Sequence, residues 1–195
     1  MPGVIVFAGS NGAGKSTAAA DFLAANPQLK IFVNADVIAR GLSANNPESV
    51  ALQAGRMMLQ RMKELIDEQA TFSFETTLSG KTYARWLKDI RPQGYRFFLH
   101  YYWLQSADLA VARVRARVAK GGHHIPEETI RRRYLASMQN FLYLYRSIAD
   151  EWRIYDNSSD AGNYLIAHGS EFSEEIDDES IWEIFRRNAG DLDDK

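Results

Sequence analysis

The sequence predicts a three-layer α/β fold with a mainly parallel sheet, on three observations. Short apolar runs alternate with longer segments of helical spacing along most of the chain. The first run, Val4-Ile5-Val6-Phe7-Ala8, is apolar throughout, as strands buried on both faces are. It passes directly into a glycine-rich octapeptide and then a helix-forming stretch, so the opening unit reads strand, loop, helix.

The elements follow in order. Thr17 to Leu23 has the composition of a good helix former, and Asn26-Pro27 ends that helix. Ile31-Phe32-Val33 is a second strand that delivers Asn34-Ala35-Asp36 at its carboxyl end. Asn46-Pro47-Glu48 supplies a cap, a proline at the first helical position and an acid in the first turn. The helix it starts is expected to reach about residue 69 through Met58, Met62, Leu65 and Ile66. Thr71 to Glu75 is a third strand, and Tyr83 to Ile90 a helix stopped by Arg91-Pro92-Gln93-Gly94. Tyr95 to Leu104 is a fourth strand, whose aromatics read as sheet core rather than a base-stacking surface. Ser106 caps a helix through Lys120 that Gly121-Gly122 terminates, and Pro126 opens a long helix to about Ala149. Ile154 to Asp156 and Tyr164 to Ile166 are later strands. The expected division is a main domain over 1–170, with a lid at about 113–133, and an acidic segment over 171–195 that is either a docked helix or a mobile tail.

Composition narrows the function classes. At 46% hydrophobic and 25% charged the 195-residue chain is neither disordered nor collagen-like. It has no cysteine, hence no disulfide, thiolate zinc site or iron–sulfur cluster, and the cytoplasm is the expected compartment. It contains no apolar run long enough to span a membrane, and its start lacks a basic leader, so neither a membrane association nor a signal peptide is expected. The net charge of −2 argues against nucleic acid as the partner, although the charge is polarised. Val111 to Arg133 carries seven Lys/Arg against two acids, whereas Glu171 to Lys195 carries ten acids against three bases.

Gly9-Ser10-Asn11-Gly12-Ala13-Gly14-Lys15-Ser16 matches the phosphate-loop pattern G-x-x-x-x-G-K-[ST] at every fixed position. Glycines let successive backbone N–H groups face a phosphate, and the helix amino end adds positive potential. Lys15 reaches the outer phosphates and Ser16 holds Mg²⁺; with Thr17 these residues form the candidate site for ATP or GTP. Ligands of open α/β sheets sit at the carboxyl ends of the strands, so Asn34, Asp36, Glu75 and Thr76 should converge on the loop as substrate-binding residues. Asp36 reads as the base that takes a proton from an acceptor hydroxyl, as a helix cap for Val37 to Arg40, or as an indirect Mg²⁺ ligand. Glu75 reads as an acceptor-binding group, a holder of metal-bound water, or a strand-end carboxylate paired to a cation.

Arg113 and Arg117 lie four apart on one helix face, and Arg131, Arg132 and Arg133 open the next helix beyond the glycine pair. Two arginine-bearing helices joined by glycines read as a closing lid, or as a solvated basic face or nucleic-acid patch. His123 and His124 are expected as loop hydrogen-bonders rather than metal ligands. Asp156-Asn157-Ser158-Ser159 either borders a nucleotide base or is a simple turn.

Taken together, the phosphate loop, Val33-Asn34-Ala35-Asp36, Phe74-Glu75-Thr76-Thr77, Gly121-Gly122-His123-His124-Ile125-Pro126 and Ile130-Arg131-Arg132-Arg133-Tyr134 resemble the zeta-toxin-like P-loop kinase family over roughly residues 3–160. Zeta toxins of bacterial toxin–antitoxin systems phosphorylate a sugar hydroxyl of UDP-N-acetylglucosamine with ATP. The resemblance implies a P-loop kinase domain in which Lys15 and Ser16 serve ATP and Mg²⁺, Asp36 is the base, Glu75 helps bind the acceptor, and lid arginines, with Arg117 and Arg132 favoured, hold phosphates. It also implies an antitoxin carried on a separate chain. Asp36 is followed here by Val37-Ile38-Ala39 before Arg40, where zeta toxins carry Asp-x-Phe-Arg. Three alternatives stay open at this level: a kinase of another nucleoside or metabolite, an ATPase without kinase activity, and a nucleic-acid-binding NTPase.

Overall fold

The sheet grows outward from β1 (Gly3–Ala8), every residue of which is buried. The structure is a computed structural model in which residues 1–122 and 124–191 are described; His123 and residues 192–195 of the acidic segment lie outside the described residues. β1 pairs in parallel with β3 (Phe72–Thr76) on one side and β4 (Arg96–Trp103) on the other, so that Phe7 stands between Glu75 and His100. β2 (Phe32–Val33) extends the sheet beyond β3, and β5 (Glu151–Asp156) extends it beyond β4, both in parallel. β6 (Tyr164–Ser170) and β7 (Glu174–Ile176) then turn antiparallel, giving the order β2-β3-β1-β4-β5-β6-β7. This is the mainly parallel α/β sheet that the alternation of strands and helices predicts. β7 has no counterpart in the pattern, because a three-residue edge strand with two glutamates carries neither alternation nor an apolar run.

Helices cover the two faces unequally. α1 (Lys15–Ala25) lies on one face, where Phe22 meets the Phe7 ring edge-on at 5.4 Å and the His100 ring at 5.2 Å. The other face is buried more deeply. There α4 (Thr82–Ile90) sets Tyr83 and Trp86 against Phe74, and α6 (Glu127–Asn140) runs into Phe141, which packs on Tyr101 at 4.6 Å. α7 (Glu179–Asn188) completes this face with Phe185 edge-on to Trp103 and Trp182 stacked near Trp152. The alternation is written in β4, where Phe97, Leu99, Tyr101 and Trp103 are buried while Phe98 and His100 are half-covered. Burial among the rings of Phe7, Phe22 and Tyr155 pushes the His100 imidazole down to about 4, so it is neutral near pH 7.

α7 is held by local chemistry as well as by packing. The Asp178 carboxylate caps it by accepting from the Ile181 N–H at 3.0 Å, and basic Arg186 and Arg187 close the last turn. The helix expected from Pro126 to Ala149 is broken: α6 stops at Asn140, and a π-turn over Phe141–Tyr145 and a 3-10 turn over Arg146–Ile148 follow. The wider turn carries Phe141, Leu142 and Tyr145, all of them buried. It also sends the Tyr145 hydroxyl to the Gly80 carbonyl at 2.6 Å, tying this helix to the loop after β3. Among the described residues, no helix is long and apolar enough to cross a membrane.

Candidate active site

The phosphate loop is shaped by backbone conformation. Gly9, Gly12 and Gly14 have positive φ of 140°, 81° and 81°, a region that side chains rarely tolerate. Space excludes side chains too: a Cβ on Gly9 would stand 2.1 Å from the Tyr102 carbonyl oxygen, and one on Gly14 would stand 2.3 Å from Asn157 Nδ2. Gly14 precedes α1 and gives it no side-chain cap, so the orphan N–H groups of the first helical turn belong to the loop.

Lys15 is buried, and its Nζ donates to the Ser10 carbonyl at 2.9 Å, curling the side chain back over the loop. Burial pulls its ammonium below the ordinary lysine value, while the carboxylates of Glu75 and Asp36 oppose that fall. Ser16 Oγ donates to Glu75 Oε2 at 2.7 Å, so the carboxyl end of β3 is bonded directly to the start of α1. Ser10 Oγ is buried and has no hydrogen-bond partner among the described residues.

Asp36 enters from β2. The cap of α2 (Ala35–Leu42) is Asn34, whose Oδ1 accepts from the Asp36 N–H at 2.7 Å and the Val37 N–H at 3.3 Å. The capping role thus falls to Asn34, and the exposed Asp36 carboxylate is left facing the loop from the first turn of α2. Thr76 Oγ1 accepts from the N–H of Leu78, a residue at φ 57° whose carbonyl accepts from Asn140 Nδ2 at 2.8 Å. Thr76 therefore shapes the loop after β3 while it stands on the crevice wall.

These pieces enclose one cavity of about 720 Å³. Its wall includes Asn11, Gly12, Gly14, Lys15, Ser16 and Thr17 of the loop, Asn34 and Asp36 beyond β2, and Glu75 and Thr76 beyond β3. Gly9, Ser10 and Ala13 lie behind that surface, where Gly9 meets Tyr102 and Ala13 carries a carbonyl bonded to Asn157. A neighbouring cavity of about 670 Å³ shares Ser16, Asn34, Asp36, Glu48 and Arg117 with the first and reaches Arg40 and Asn45. Asp36 therefore stands between two spaces, together with those four residues.

The arginines divide by helix phase. Successive residues of α5 (Ala107–Ala119) and of α6 point about 100° apart. Arg115 and Arg131 both meet Glu127, at 2.6 and 2.8 Å, and Arg131 also meets Asp108 at 2.6 Å, joining the two helices on their outer side. Arg113, Arg117 and Arg133 line the crevice. Arg133 Nη1 contacts Asn11 Oδ1 at 3.4 Å, and burial, followed by the charge of Arg132, draws its guanidinium below the ordinary arginine value. Arg132 is exposed and is absent from the crevice wall: on α6 the turn that brings Thr129 to the wall brings Arg133 with it, one residue beyond the arginine the sequence favours. Arg117 stands where expected, on the wall of both cavities. His124 lines the crevice, and among the described residues there is no cluster of three or more His, Cys, Asp or Glu able to hold a metal by side chains alone.

Residues 4–140 match the AAA domain family. The chain belongs to that family. It is a P-loop NTPase domain, and the octapeptide Gly9 to Ser16, which carries the phosphate-loop pattern, lies within the matched residues. An uncharacterized protein of Haemophilus influenzae is 32% identical over 130 residues, which cover 67% of this chain and 91% of the relative. The crystal structure of AvrRxo1-ORF1:-ORF2 with ATP superposes on the whole chain at a TM-score of 0.76 and 14% identity, and the match spans 66% of that structure's chain. The PezAT chromosomal toxin–antitoxin system of Streptococcus pneumoniae superposes on the whole chain at 0.62 and 12% identity, with 88% of its own chain covered. At these identities the likeness is one of fold, a P-loop kinase-like α/β fold.

Two parts of the crevice carry no local mark in the sequence. Arg133 is indistinguishable from Arg131 and Arg132 until the phase of α6 is counted from Pro126, which also lines the wall. Tyr83 and Met58 line it as well, linked by a Tyr83 hydroxyl to Met58 sulfur contact of 3.8 Å, and their helical spacing reads only as core.

Proposed function

We propose that this AAA-domain protein is an ATP-dependent phosphotransferase that moves the γ-phosphate to a hydroxyl of a small molecule, UDP-N-acetylglucosamine being the first acceptor to test. The observation that carries the proposal is a single crevice holding the phosphate loop and Asp36 together, with Asp36 at the junction of two cavities. The resemblance of the motifs to zeta-toxin-like kinases supports the acceptor, and the P-loop kinase-like fold shared with a toxin–antitoxin protein supports the transferase. They support a separate antitoxin chain as partner as well. The catalytic unit in this reading is 1–170 with 113–133 as its lid, and 171–195 is an acidic terminal segment.

In this reading the loop N–H groups and Lys15 hold the β- and γ-phosphates, and Lys15 exchanges its bond to the Ser10 carbonyl for a phosphate oxygen. Asp36 accepts the proton of the acceptor hydroxyl as that oxygen bonds to the γ-phosphorus. The bond from the γ-phosphorus to its bridging oxygen breaks with its electron pair, leaving ADP. Arg117 and Arg133 face the charge spread over the transferring oxygens, and Arg132 does not reach it. Asn34 orients Asp36 by capping α2, and Glu75 and Thr76 border the acceptor.

The residues present fit Mg²⁺: Ser16 Oγ and the Glu75 carboxylate are hard oxygen donors 2.7 Å apart beside the loop, and Mg²⁺ is ordinarily held by one or two such groups plus substrate phosphates. When bound there, the ion neutralises phosphate charge. The test is product analysis of the full chain with ATP, Mg²⁺ and a panel of UDP-N-acetylglucosamine, other sugar nucleotides, nucleosides and RNA. A phosphate on UDP-N-acetylglucosamine bears the proposal out in full. A phosphate on another panel member keeps the transferase and replaces the acceptor. ADP formation with no phosphorylated acceptor, unchanged in Asp36→Asn, overturns it in favour of an ATPase.

A further inference from the structure

Asn157 stands one residue past the carboxyl end of β5, far in sequence from the phosphate loop yet in contact with it. Its Nδ2 donates to the Ala13 carbonyl at 2.8 Å, across 144 residues of chain, and occupies the space that a side chain on Gly14 would need. The Asn157 N–H is itself tied to the Trp103 carbonyl at 2.9 Å. Arg113 grips the same turn with both prongs of its guanidinium, Nη1 donating to the Asn157 carbonyl at 2.7 Å and Nη2 to the Ser158 carbonyl at 3.1 Å. Beneath it the buried Asp156 carboxylate accepts from the Ser158 N–H and from Gln105 Nε2, each at 2.8 Å. The turn is thus fixed from several sides, and the Asn157 carboxamide directs its hydrogen bond to Ala13.

We propose that Asn157 is a positioning residue for the phosphate loop, and that Arg113 is the strut that keeps it in place rather than a phosphate-binding lid arginine. In the peptide between Ala13 and Gly14 the carbonyl and the N–H point in opposite directions because the bond is trans. A hydrogen bond that draws the Ala13 carbonyl toward Asn157 sends the Gly14 N–H the other way. Gly14 lines the crevice and Asn157 does not, so that other way is the side on which a phosphate would sit. Without the bond, rotation of this peptide unit, easy beside a glycine at φ 81°, would turn a carbonyl oxygen toward an anion. Arg113 sits on α5, so the strut also couples the first lid helix to the phosphate loop.

The inference rests on the proposed reading that the loop holds nucleotide phosphates, and its test separates the two. Full-length protein is titrated with ADP and Mg²⁺ by calorimetry, and amide hydrogen exchange is followed across residues 9–16 without nucleotide. Asn157→Ala removes the donor, and Asn157→Asp keeps the shape but presents an acceptor to the Ala13 carbonyl. Both variants are expected to exchange faster across 9–16 than wild type while β1 and β4 keep their protection, and to bind ADP about tenfold more weakly. Arg113→Gln, which leaves the Asn157 donor intact, is expected to lose about threefold in affinity and keeps the proposal testable should Asn157→Ala fail to fold. A loss confined to Asn157→Asp is a charge effect and overturns the inference. So does faster exchange everywhere with affinity retained, the mark of a merely structural residue. If wild type binds ADP and Lys15→Ala does not, while all three variants at 157 and 113 behave as wild type, the inference alone falls. If wild type binds no ADP, the nucleotide reading falls and takes the inference with it.

Discussion

The floor of the crevice and its arginine-bearing wall are built in opposite ways. The floor is one contiguous octapeptide in which each glycine is required by a backbone angle or a close approach, so the order of residues is already the order of the site. The wall is two helices carrying arginines at 113, 115, 117, 131, 132 and 133, which differ in task without differing in type. Arg115 and Arg131 spend their charge on Glu127 and Asp108. Arg113 holds two carbonyls, and Arg117 and Arg133 stand on the crevice wall. A chemical motif is read from its residues, but a helical surface is read only from its rotation about an axis.

The largest effect should come from the floor. Lys15→Ala is expected to reduce phosphoryl transfer by about 10²–10³-fold through lost phosphate stabilisation; turnover within tenfold of wild type would show that the floor does not carry the charge. Asp36→Asn is expected to cut transfer by about 10²–10⁴-fold while ATP affinity stays near wild type, as measured by titration with a non-hydrolysable analogue. Equal losses in binding and transfer would move Asp36 from proton acceptor to phosphate-site organiser.

The wall can be broken by exchanging neighbours. Arg133→Ala is expected to lower kcat/KM by about tenfold or more and Arg132→Ala by less than about twofold, because only the former faces the crevice. The reverse ranking would mean that the lid turns on binding and brings Arg132 to the crevice in place of Arg133. The smallest effect should be that of Arg131→Ala, whose partners are exposed acids: activity unchanged, and a small fall in Tm at low salt that disappears at high salt. A salt-independent fall would make the Arg131–Glu127–Asp108 cluster more than a screened surface network.

Much of the fold was legible because its signals are local. Val4 to Ala8, the cap at Ser106 and the stops at Asn26-Pro27 and Arg91-Pro92 each act over a few residues, and the structure uses each of them, whereas the Asn46 cap starts a 3-10 turn over Pro47–Val50 that leads into α3 (Ala51–Asp67) rather than starting that helix itself. The break after Asn140 was not legible: Phe141 to Tyr145 is a passable helical run, and the π-turn is selected by what those side chains meet, the sheet on one side and the Gly80 carbonyl on the other. At the crevice, the loop and the strand-end positions of Asn34, Asp36, Glu75 and Thr76 followed from the rule that parallel strands present their carboxyl ends together. The Ser16–Glu75 bond, the Arg133 side of α6 and the Asn157 contact with Ala13 join residues 59, 122 and 144 positions apart, and no local pattern encodes such distances.

By itself, then, the sequence determined the phosphate loop, the alternation that builds a parallel sheet, and the strand ends that deliver acids to that loop, since periodicity, glycine geometry and capping are properties of neighbouring residues. Tertiary structure alone decided which arginines face the crevice, which residue caps α2, and which distant carboxamide steadies the loop. Those choices depend on how finished helices and strands are rotated and stacked against one another, and that is settled by the burial of Trp103, Phe141, Trp152 and Phe185 in a core shared by the whole chain.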